Sequence, residues 1–307
     1  MPLLIIIICL LSLNVYGRNV ALTEKVFTIE ESFLYDNQER TYRIHLPPNY
    51  YQNQEKFPLV LAFHGGGGNG KNFEKLSELS ETADAQQFIV VYPDGLKSAG
   101  LLRLRTWNAG KCCGKNAITD VDDVGFINLL INQLAQKYRI NTKKVYATGH
   151  SNGAMLAYRL ACELPNKIAA IATNAGTIQI TPCNPSRVVP IIHFHSTLDN
   201  NVPYQGGVGL VSIARQYNPS VDNTLNIFAT LAHCEKNKQI VIGTASYTFY
   251  KWSGCENNVE LHYYLTNDGG HAWAGGHRGL GMDSDRPSTA IVANELLWRF
   301  FRHYQLP

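Results

Sequence analysis

The order of the predicted secondary structure constrains the fold of this 307-residue chain more than any single motif does. From residue 58 onward, short apolar runs alternate with stretches in which apolar residues recur at helical spacing. The predicted strands are 58–63, 88–92, 145–148, 168–173, 189–195, 247–252 and 259–265, and the predicted helices are 73–86, 124–138, 154–164, a stretch ending near residue 234, and 289–303. Such alternation is typical of a mostly parallel sheet with helices on both faces.

Two further strands, 26–33 and 40–46, precede this pattern and predict a hairpin at one edge of the sheet. The longest irregular segment, residues 96–120, has the composition of an ordered surface loop. Asp122 and Asp123 follow it, and we expect them to cap the next helix. The net charge is +3, and no run of lysine or arginine is dense enough to predict a surface for nucleic acid or for membranes.

The N-terminus carries an apolar run of eleven residues, Leu3 to Leu13, followed by the small residues Val15 and Gly17. This pattern predicts a signal peptide over residues 1–17 and a secreted protein, extracellular or periplasmic. The run lacks a basic flank, so an uncleaved interfacial anchor is the alternative interpretation. Elsewhere no stretch is apolar enough for a transmembrane helix, so we expect residues 18–307 to form a single soluble domain without a membrane partner.

Of seven cysteines, Cys9 lies in the predicted signal peptide, which leaves six, and an even number behind a signal peptide predicts disulfides. We expect Cys234 to pair with Cys255, because these two stand apart from the others in the sequence. Three pairings are possible for the other four cysteines, and one of these includes a bridge between adjacent residues. The four cysteines are Cys112, Cys113, Cys162 and Cys183. A zinc site is disfavoured because no C-x-x-C spacing is present.

The stretch GHSNG places Ser151 between Gly149 and Gly153, with a predicted strand before it and a predicted helix after it. A turn this tight brings strand and helix close together, so glycines are needed where side chains would collide. The pattern is typical of the nucleophile elbow of α/β-hydrolases, in which the serine hydroxyl stands exposed at the end of a strand. The alternative interpretation is a glycine-rich strand end without chemistry.

Active sites of open parallel sheets lie at the carboxyl ends of the strands, which limits the partners of Ser151. Asp199 follows one predicted strand and His271 follows a later one, in the order that this fold requires. We expect His271 to act as general base and Asp199 to hold its tautomer. Asp268 and His277 are the second choices.

Attack on a carbonyl creates an oxyanion, which two backbone N–H groups must stabilise. We expect one from Asn152, directly after the nucleophile, and one from the glycine run FHGGGGNG, where Gly66 is the first choice and Gly65 the second. A phosphate-binding loop is the competing interpretation of this run, but the hydroxyl residue that such a loop requires is absent.

Other histidines and a tryptophan have both structural and functional interpretations. His193 and His195 share one face of a strand, and we expect packed side chains rather than metal ligands because no third ligand is in reach. We expect His64 and His150 to support the glycine run and the elbow. Trp273 stands two residues after His271, where its side chain could line a substrate pocket.

Five ordered blocks resemble a known family, and they are FHGGGGNG, TWNAGKCCG with VDDVGF, GHSNGAMLAYRLACE, HSTLDNNVPYQGG and GGHAWAGG. The resemblance covers about residues 26–303 and is to the secreted feruloyl esterases and polyhydroxybutyrate depolymerases, which are related to carbohydrate esterase family 1. It implies triad roles for Ser151, Asp199 and His271 and a pocket role for Trp273. Family members more often carry glycine where Ser196 stands here.

The implied reaction is ester hydrolysis through an acyl-serine, with no metal and no organic cofactor. The expected substrate is a feruloyl or acetyl ester on plant polysaccharide, and a polyester or short oligoester is the second choice. A catalytically silent member that binds carbohydrate or protein is the alternative from another class. We expect the protein to be a monomer.

Overall fold

The computed structural model of the chain describes residues 27–98, 103–212, 214–279 and 284–307, so the predicted signal peptide lies outside the described residues. The strands are β1 (Thr28–Tyr35), β2 (Gln38–His45), β3 (Phe57–Phe63), β4 (Ile89–Pro93), β5 (Leu96–Lys97), β6 (Arg105–Thr106), β7 (Ile140–His150), β8 (Ala170–Asn174), β9 (Ile191–Ser196), β10 (Gly207–Val208), β11 (Tyr217–Asn218), β12 (Gln239–Gly243), β13 (Tyr247–Trp252) and β14 (Leu261–Thr266). The helices are α1 (Gly70–Ser77), α2 (Leu79–Gln86), α3 (Gly114–Ile118), α4 (Asp123–Lys137), α5 (Asn152–Glu163), α6 (Val221–Leu231) and α7 (Ala293–Phe301).

Ten strands form one sheet in the order β1-β2-β4-β3-β7-β8-β9-β14-β13-β12. The six strands from β4 to β14 in this order pair in parallel, and antiparallel strands extend the sheet at both edges. The β1–β2 hairpin lies at one edge. The predicted α/β fold with a mostly parallel sheet is thus confirmed.

Apolar residues alternate between the two faces of the central strands and build two separate cores. In β3, Leu59 and Leu61 join the core beneath α4, α5 and α6, whereas Val60 and Ala62 join the core beneath α1, α2 and α7. Each face of the sheet is therefore covered by helices, and the strand ends are left as the places where polar side chains can meet.

Two differences from the sequence-based prediction concern longer elements, beside the short strands β10 and β11, which the pattern also did not predict. The helix predicted over residues 73–86 is two helices, because Glu78 adopts a left-handed conformation with φ of 52° between α1 and α2. The carbonyl of Ser77 accepts instead from the side chain of Asn294. The second difference is β12, an edge strand that the pattern did not predict, whose apolar side chains are exposed.

The irregular segment 96–120 contains β5, β6 and α3, and its residues 99–102 lie outside the described part. Asp122 caps α4 by accepting a hydrogen bond from the N–H of Gly125. Asp123 does not act as a cap, contrary to the prediction. Its carboxylate is buried, pairs with Arg40 at 2.6 Å and accepts the backbone N–H of Asn108 at 2.7 Å.

Candidate active site

Ser151 stands in the turn between β7 and α5 with a strained backbone, φ 55° and ψ −122°. The two neighbouring glycines are required by close packing. A Cβ on Gly149 would lie 2.5 Å from the carbonyl carbon of Gly153, and a Cβ on Gly153 would lie 2.2 Å from the carbonyl oxygen of Phe63. The strand and helix therefore approach each other as the elbow geometry demands.

The serine hydroxyl contacts His271, and His271 in turn contacts Asp199, as the strand order predicts. His271 Nε2 lies 2.8 Å from Ser151 Oγ, and His271 Nδ1 lies 2.8 Å from Asp199 Oδ2. Asp199 follows β9 and His271 follows β14, which are adjacent parallel strands. The Asp199 side chain is fully buried, and that of His271 is 12% exposed. Since a carboxylate only accepts, Nδ1 carries the proton and Nε2 is free to accept from Ser151.

The carboxylate of Asp199 is held by several donors. Its Oδ1 accepts the backbone N–H groups of Asn201 at 2.9 Å and Val202 at 2.8 Å, while Oδ2 faces the histidine. Burial raises the pKa of Asp199, but the charge of His271 and the hydrogen bonds of His195 and His271 outweigh it, so the net pKa lies well below the ordinary value. The carboxylate is therefore ionised at neutral pH.

The pKa of His271, the expected general base, is shifted in the opposite direction. Burial lowers the pKa of His271, but the charge and hydrogen bond of Asp199 outweigh burial, so the pKa is raised above 6.5. Asp285 contributes a further negative charge, and its Oδ2 accepts the backbone N–H of His271 at 2.6 Å. This second carboxylate fixes the position of the histidine backbone and makes the ring more basic.

The glycine run after β3 lies against the elbow. A Cβ on Gly65 would lie 3.3 Å from Ser151 Cβ, and a Cβ on Gly66 would lie 3.9 Å from Asn152 Cβ. In the part of the chain that the structure describes, no protein acceptor takes up the N–H of Gly66 or of Asn152. The first N–H groups of a helix have no partner within it, so the Asn152 amide is available to an anion beside Ser151.

The side chain of Asn152 has a role that sequence reasoning missed. Its Oδ1 accepts the N–H of Trp107 at 2.7 Å, and its Nδ2 donates to the carbonyl of Trp107 at 3.0 Å. The buried Trp107 ring in turn donates through Nε1 to the carbonyl of His64 at 3.0 Å. The tryptophan thus joins the elbow to the glycine run. Its signal in the sequence was the TWN block, which sequence reasoning did not connect with Asn152.

His64 and His150 both support this region, in line with their structural interpretation. His64 donates through Nδ1 to the carbonyl of Gly65 and accepts the N–H of Gly95 at Nε2. Burial lowers the pKa of His64 to about 4. Burial, and then the nearby His271, lower the pKa of His150 to about 3. Both rings are therefore neutral at pH 7, and neither competes with His271 as a base.

A cavity of about 600 Å³ opens beside His271, and Trp273 forms part of its wall. The tryptophan is almost fully buried, packs edge-on against Phe73 and donates its ring N–H to Asn294. It therefore offers a substrate only an apolar surface. The cavity continues along the side chains of His150, Asn200, Asn201, His277 and Asp285.

The second choices for the triad are engaged elsewhere. His277 is exposed and pairs with Glu78 at 2.5 Å. Asp268 accepts hydrogen bonds from the Ser288 hydroxyl and from the Thr289 backbone and side chain, which links the loop after β14 to the segment before α7. Neither side chain contacts Ser151.

The six cysteines outside the predicted signal peptide form three bridges, Cys112–Cys113, Cys162–Cys183 and Cys234–Cys255. Cys112 packs in a small buried cluster with Met155 of α5 and with Val202, which lies in the loop after β9 that carries Asp199 (the acid loop). Within the described ranges, no group of three or more potential metal ligands is found, and no helix is long and apolar enough to cross a bilayer.

The fold is that of the α/β-hydrolases, and the site has their serine, histidine and aspartate in hydrogen-bond contact. Residues 40–185 match the family model described as "Esterase PHB depolymerase", which confirms the family resemblance expected from the sequence blocks. The solved structure of an acetyl xylan esterase from Aspergillus awamori gives a TM-score of 0.57 at 14% identity, covering 80% of this chain and 94% of that chain. This likeness shows the shared fold.

Curated relatives are similar over most of the chain. Feruloyl esterase B of Piromyces equi is 27% identical over 267 residues, which cover 85% of this chain and 44% of that protein. A bifunctional acetylxylan esterase/xylanase of Neocallimastix patriciarum is 29% identical over 236 residues, which cover 76% of this chain and 31% of that protein. The chain thus spans less than half the length of these two relatives.

Proposed function

We propose that this protein is a serine carboxylic-ester hydrolase. The observation that carries the proposal is the pair of 2.8 Å contacts linking Ser151 Oγ through the His271 ring to Asp199. A neutral imidazole with its proton held on Nδ1 can take the hydroxyl proton at Nε2 as Ser151 attacks the ester carbonyl. The ionised Asp199 then stabilises the imidazolium that forms.

The backbone N–H groups of Gly66 and Asn152 form the oxyanion hole in this proposal. Asn152 directly follows Ser151, and Gly66 lies against Asn152. Neither N–H has a protein acceptor in the described chain, so both can donate to the carbonyl oxygen as negative charge develops. The imidazolium next protonates the departing alcohol, which leaves an acyl-serine. Water, deprotonated by the same His271, attacks the acyl carbon and releases the acid. No metal or organic cofactor takes part in these steps.

The proposed substrate is a feruloyl or acetyl ester on plant polysaccharide. Relatives named feruloyl esterase and acetylxylan esterase/xylanase support this substrate class. The cavity beside His271 also supports it, because Phe73 and Trp273 offer an apolar wall while Asn200 and Asn201 offer amides to a hydroxyl-rich alcohol. The family description favours a polyester or short oligoester as the second candidate.

The proposal includes secretion and a monomeric protein, with residues 1–17 as signal peptide and residues 18–307 as the single catalytic domain. Three disulfides support an oxidising compartment, since such bonds persist outside the cytosol. N-terminal sequencing of the secreted protein tests the cleavage site, and light scattering tests the monomer. A mature protein that begins at Met1, or a stable oligomer, would contradict the respective part.

Covalent labelling tests the enzyme class. The wild type should react with a fluorophosphonate probe and hydrolyse p-nitrophenyl acetate, and Ser151→Ala should lose both properties. Ser186→Ala, which changes an exposed loop serine bonded to Asn166, is the control and should behave as the wild type. A wild type that is neither labelled nor active would favour the silent, binding-only alternative. Labelling that persists in Ser151→Ala would refute the assignment of the nucleophile.

The substrate is tested by comparing kcat/KM for methyl ferulate, acetylated xylan and 3-hydroxybutyrate oligomers at equal enzyme concentration. We expect the highest value for one of the two plant-type esters. A highest value for the hydroxybutyrate oligomers would overturn the polysaccharide-ester proposal and leave the esterase assignment intact.

A further inference from the structure

A chain of buried polar side chains runs behind the acid of the site, and the proposed mechanism does not use it. His193 and His195 lie on the same face of β9, with rings nearly parallel and centroids 5.2 Å apart. Both are buried, so each polar ring atom needs a partner. The chain continues on one side to Tyr158 of α5 and Thr173 of β8.

At the end of this hydrogen-bonded series nearest Asp199, a carbonyl oxygen determines which nitrogen of His195 carries the proton. His195 Nε2 lies 2.7 Å from the carbonyl oxygen of Val202 and 3.2 Å from Asp199 Oδ2. Both oxygens can only accept, so the proton of His195 is on Nε2. Val202 is thus held from two sides, because its N–H donates to Asp199 Oδ1 while its carbonyl accepts from His195.

The remaining protons are assigned from the other end of the series. His195 Nδ1 lies 3.0 Å from His193 Nε2. Burial, with the neighbouring His195 in second place, holds the pKa of His193 well below its ordinary value, so this ring is neutral. His193 Nδ1 lies 2.8 Å from the hydroxyls of both Tyr158 and Thr173. Thr173 donates to Tyr158 at 3.1 Å, so the Tyr158 proton is directed at His193 Nδ1, and the single proton of the His193 ring is on Nε2, facing His195. Every hydrogen bond of the chain points toward Val202.

We infer that His195, backed by His193, is a positioning residue that fixes the Asp199–Val202 turn and thereby sets the acid of the triad against His271. The inference rests on the proposed function, because it assigns the residues that hold the proposed catalytic carboxylate. The chain also links that turn to α5, the helix that begins at the nucleophile. A hydrogen-bonded series of this kind suits the task because it leaves no buried polar atom free to rearrange.

The test compares two substitutions at one position. In His195→Phe the ring volume is kept and the donor to Val202 is lost, whereas in His195→Gln an amide can donate from about the place of Nε2. We expect His195→Phe to lower kcat for p-nitrophenyl acetate by at least about ten-fold with KM changed by less than about two-fold, and His195→Gln to recover most of that loss. The matched control is His45→Phe, which replaces a buried strand histidine at the far edge of the sheet, bonded to Thr28 and Asp84.

The inference is overturned if His195→Phe retains the kcat of His45→Phe, or if His195→Gln is no better than His195→Phe. Fluorophosphonate labelling of the wild type separates this failure from that of the proposed function, since an unlabelled wild type refutes the esterase itself. A second measurement needs no variant to fold. In the wild type with ¹⁵N-labelled histidine, NMR should show a proton on Nε2 of both His193 and His195, and a proton on Nδ1 of either ring would refute the proposed hydrogen-bonded series.

Discussion

Replacing Asp199 by asparagine tests the proposed acid with a very small change in shape. The two backbone donors at Oδ1, from Asn201 and Val202, still require an acceptor, so the amide oxygen should take that place. The amide NH₂ group then faces His271 Nδ1 at the position of Oδ2. Since NH₂ only donates, the ring must carry its proton on Nε2, where it can no longer accept from Ser151.

The expected loss follows from the distance. Unit charges 2.8 Å apart attract by about 6 kcal/mol at an effective dielectric constant of about 20. Losing this stabilisation of the imidazolium corresponds to about 10⁴-fold in kcat, since each factor of ten requires about 1.4 kcal/mol. The wrong tautomer acts in the same direction, and the two effects overlap rather than add.

Hydrolysis of p-nitrophenyl acetate at saturating substrate measures the change in kcat, with circular dichroism as a check on folding. Asp268→Asn is the matched control, because Asp268 is a neighbouring carboxylate whose hydrogen bonds go to Ser288 and Thr289 and not to His271. Its kcat should stay within about three-fold of the wild type. A folded Asp199→Asn enzyme that keeps more than about a tenth of the wild-type kcat would refute this account of the acid.

Three further predictions concern the base, the acid loop and a disulfide. Because the pKa of His271 is raised above 6.5 and the protonated ring cannot accept, kcat/KM should fall as pH drops through a value above 6.5, and Asp285→Asn should move this limb to lower pH in a pH–rate profile. Ser196→Ala removes a hydroxyl that bridges the acid and base loops through two 3.0 Å hydrogen bonds, so urea denaturation should show a loss of about 2 kcal/mol in unfolding free energy. Replacing Cys234 and Cys255 together by alanine should lower that free energy by about 3 kcal/mol with kcat unchanged. A pH–rate limb that Asp285→Asn leaves in place would contradict the first prediction, and an unchanged free energy of unfolding in Ser196→Ala would contradict the second. A loss of kcat in the variant without Cys234 and Cys255 would contradict the third.

The positions of Ser151, Asp199 and His271 could be predicted because parallel strands deliver their carboxyl ends to one edge of the sheet. This rule needs only the order of the strands, and apolar periodicity in the sequence reports that order well. The two glycines of the elbow were predictable for a similar reason, since a strand-to-helix turn requires close backbone contact whatever surrounds it.

Features that depend on residues far apart in the sequence could not be predicted. Asp123 stands where the sequence predicts a helix cap. In the structure it forms an ion pair with the buried Arg40 of β2, which is far away in the sequence. At the break beside Glu78, the carbonyl of Ser77 accepts from the side chain of Asn294, which belongs to α7. Local patterns contain no information on such partners, so the cap and the single helix were the wrong predictions there.

Asn152 connects the TWN block of this sequence with the elbow. Its backbone N–H is the proposed oxyanion donor, and its side chain makes two hydrogen bonds with the backbone of Trp107. Trp107 holds the carbonyl of His64, directly before the glycine run that supplies the other proposed donor. The two proposed donors follow different strands, β3 and β7, and their spacing must be fixed before the reaction for them to stabilise an oxyanion. Through these hydrogen bonds, Trp107 links the residues that carry the two proposed donors.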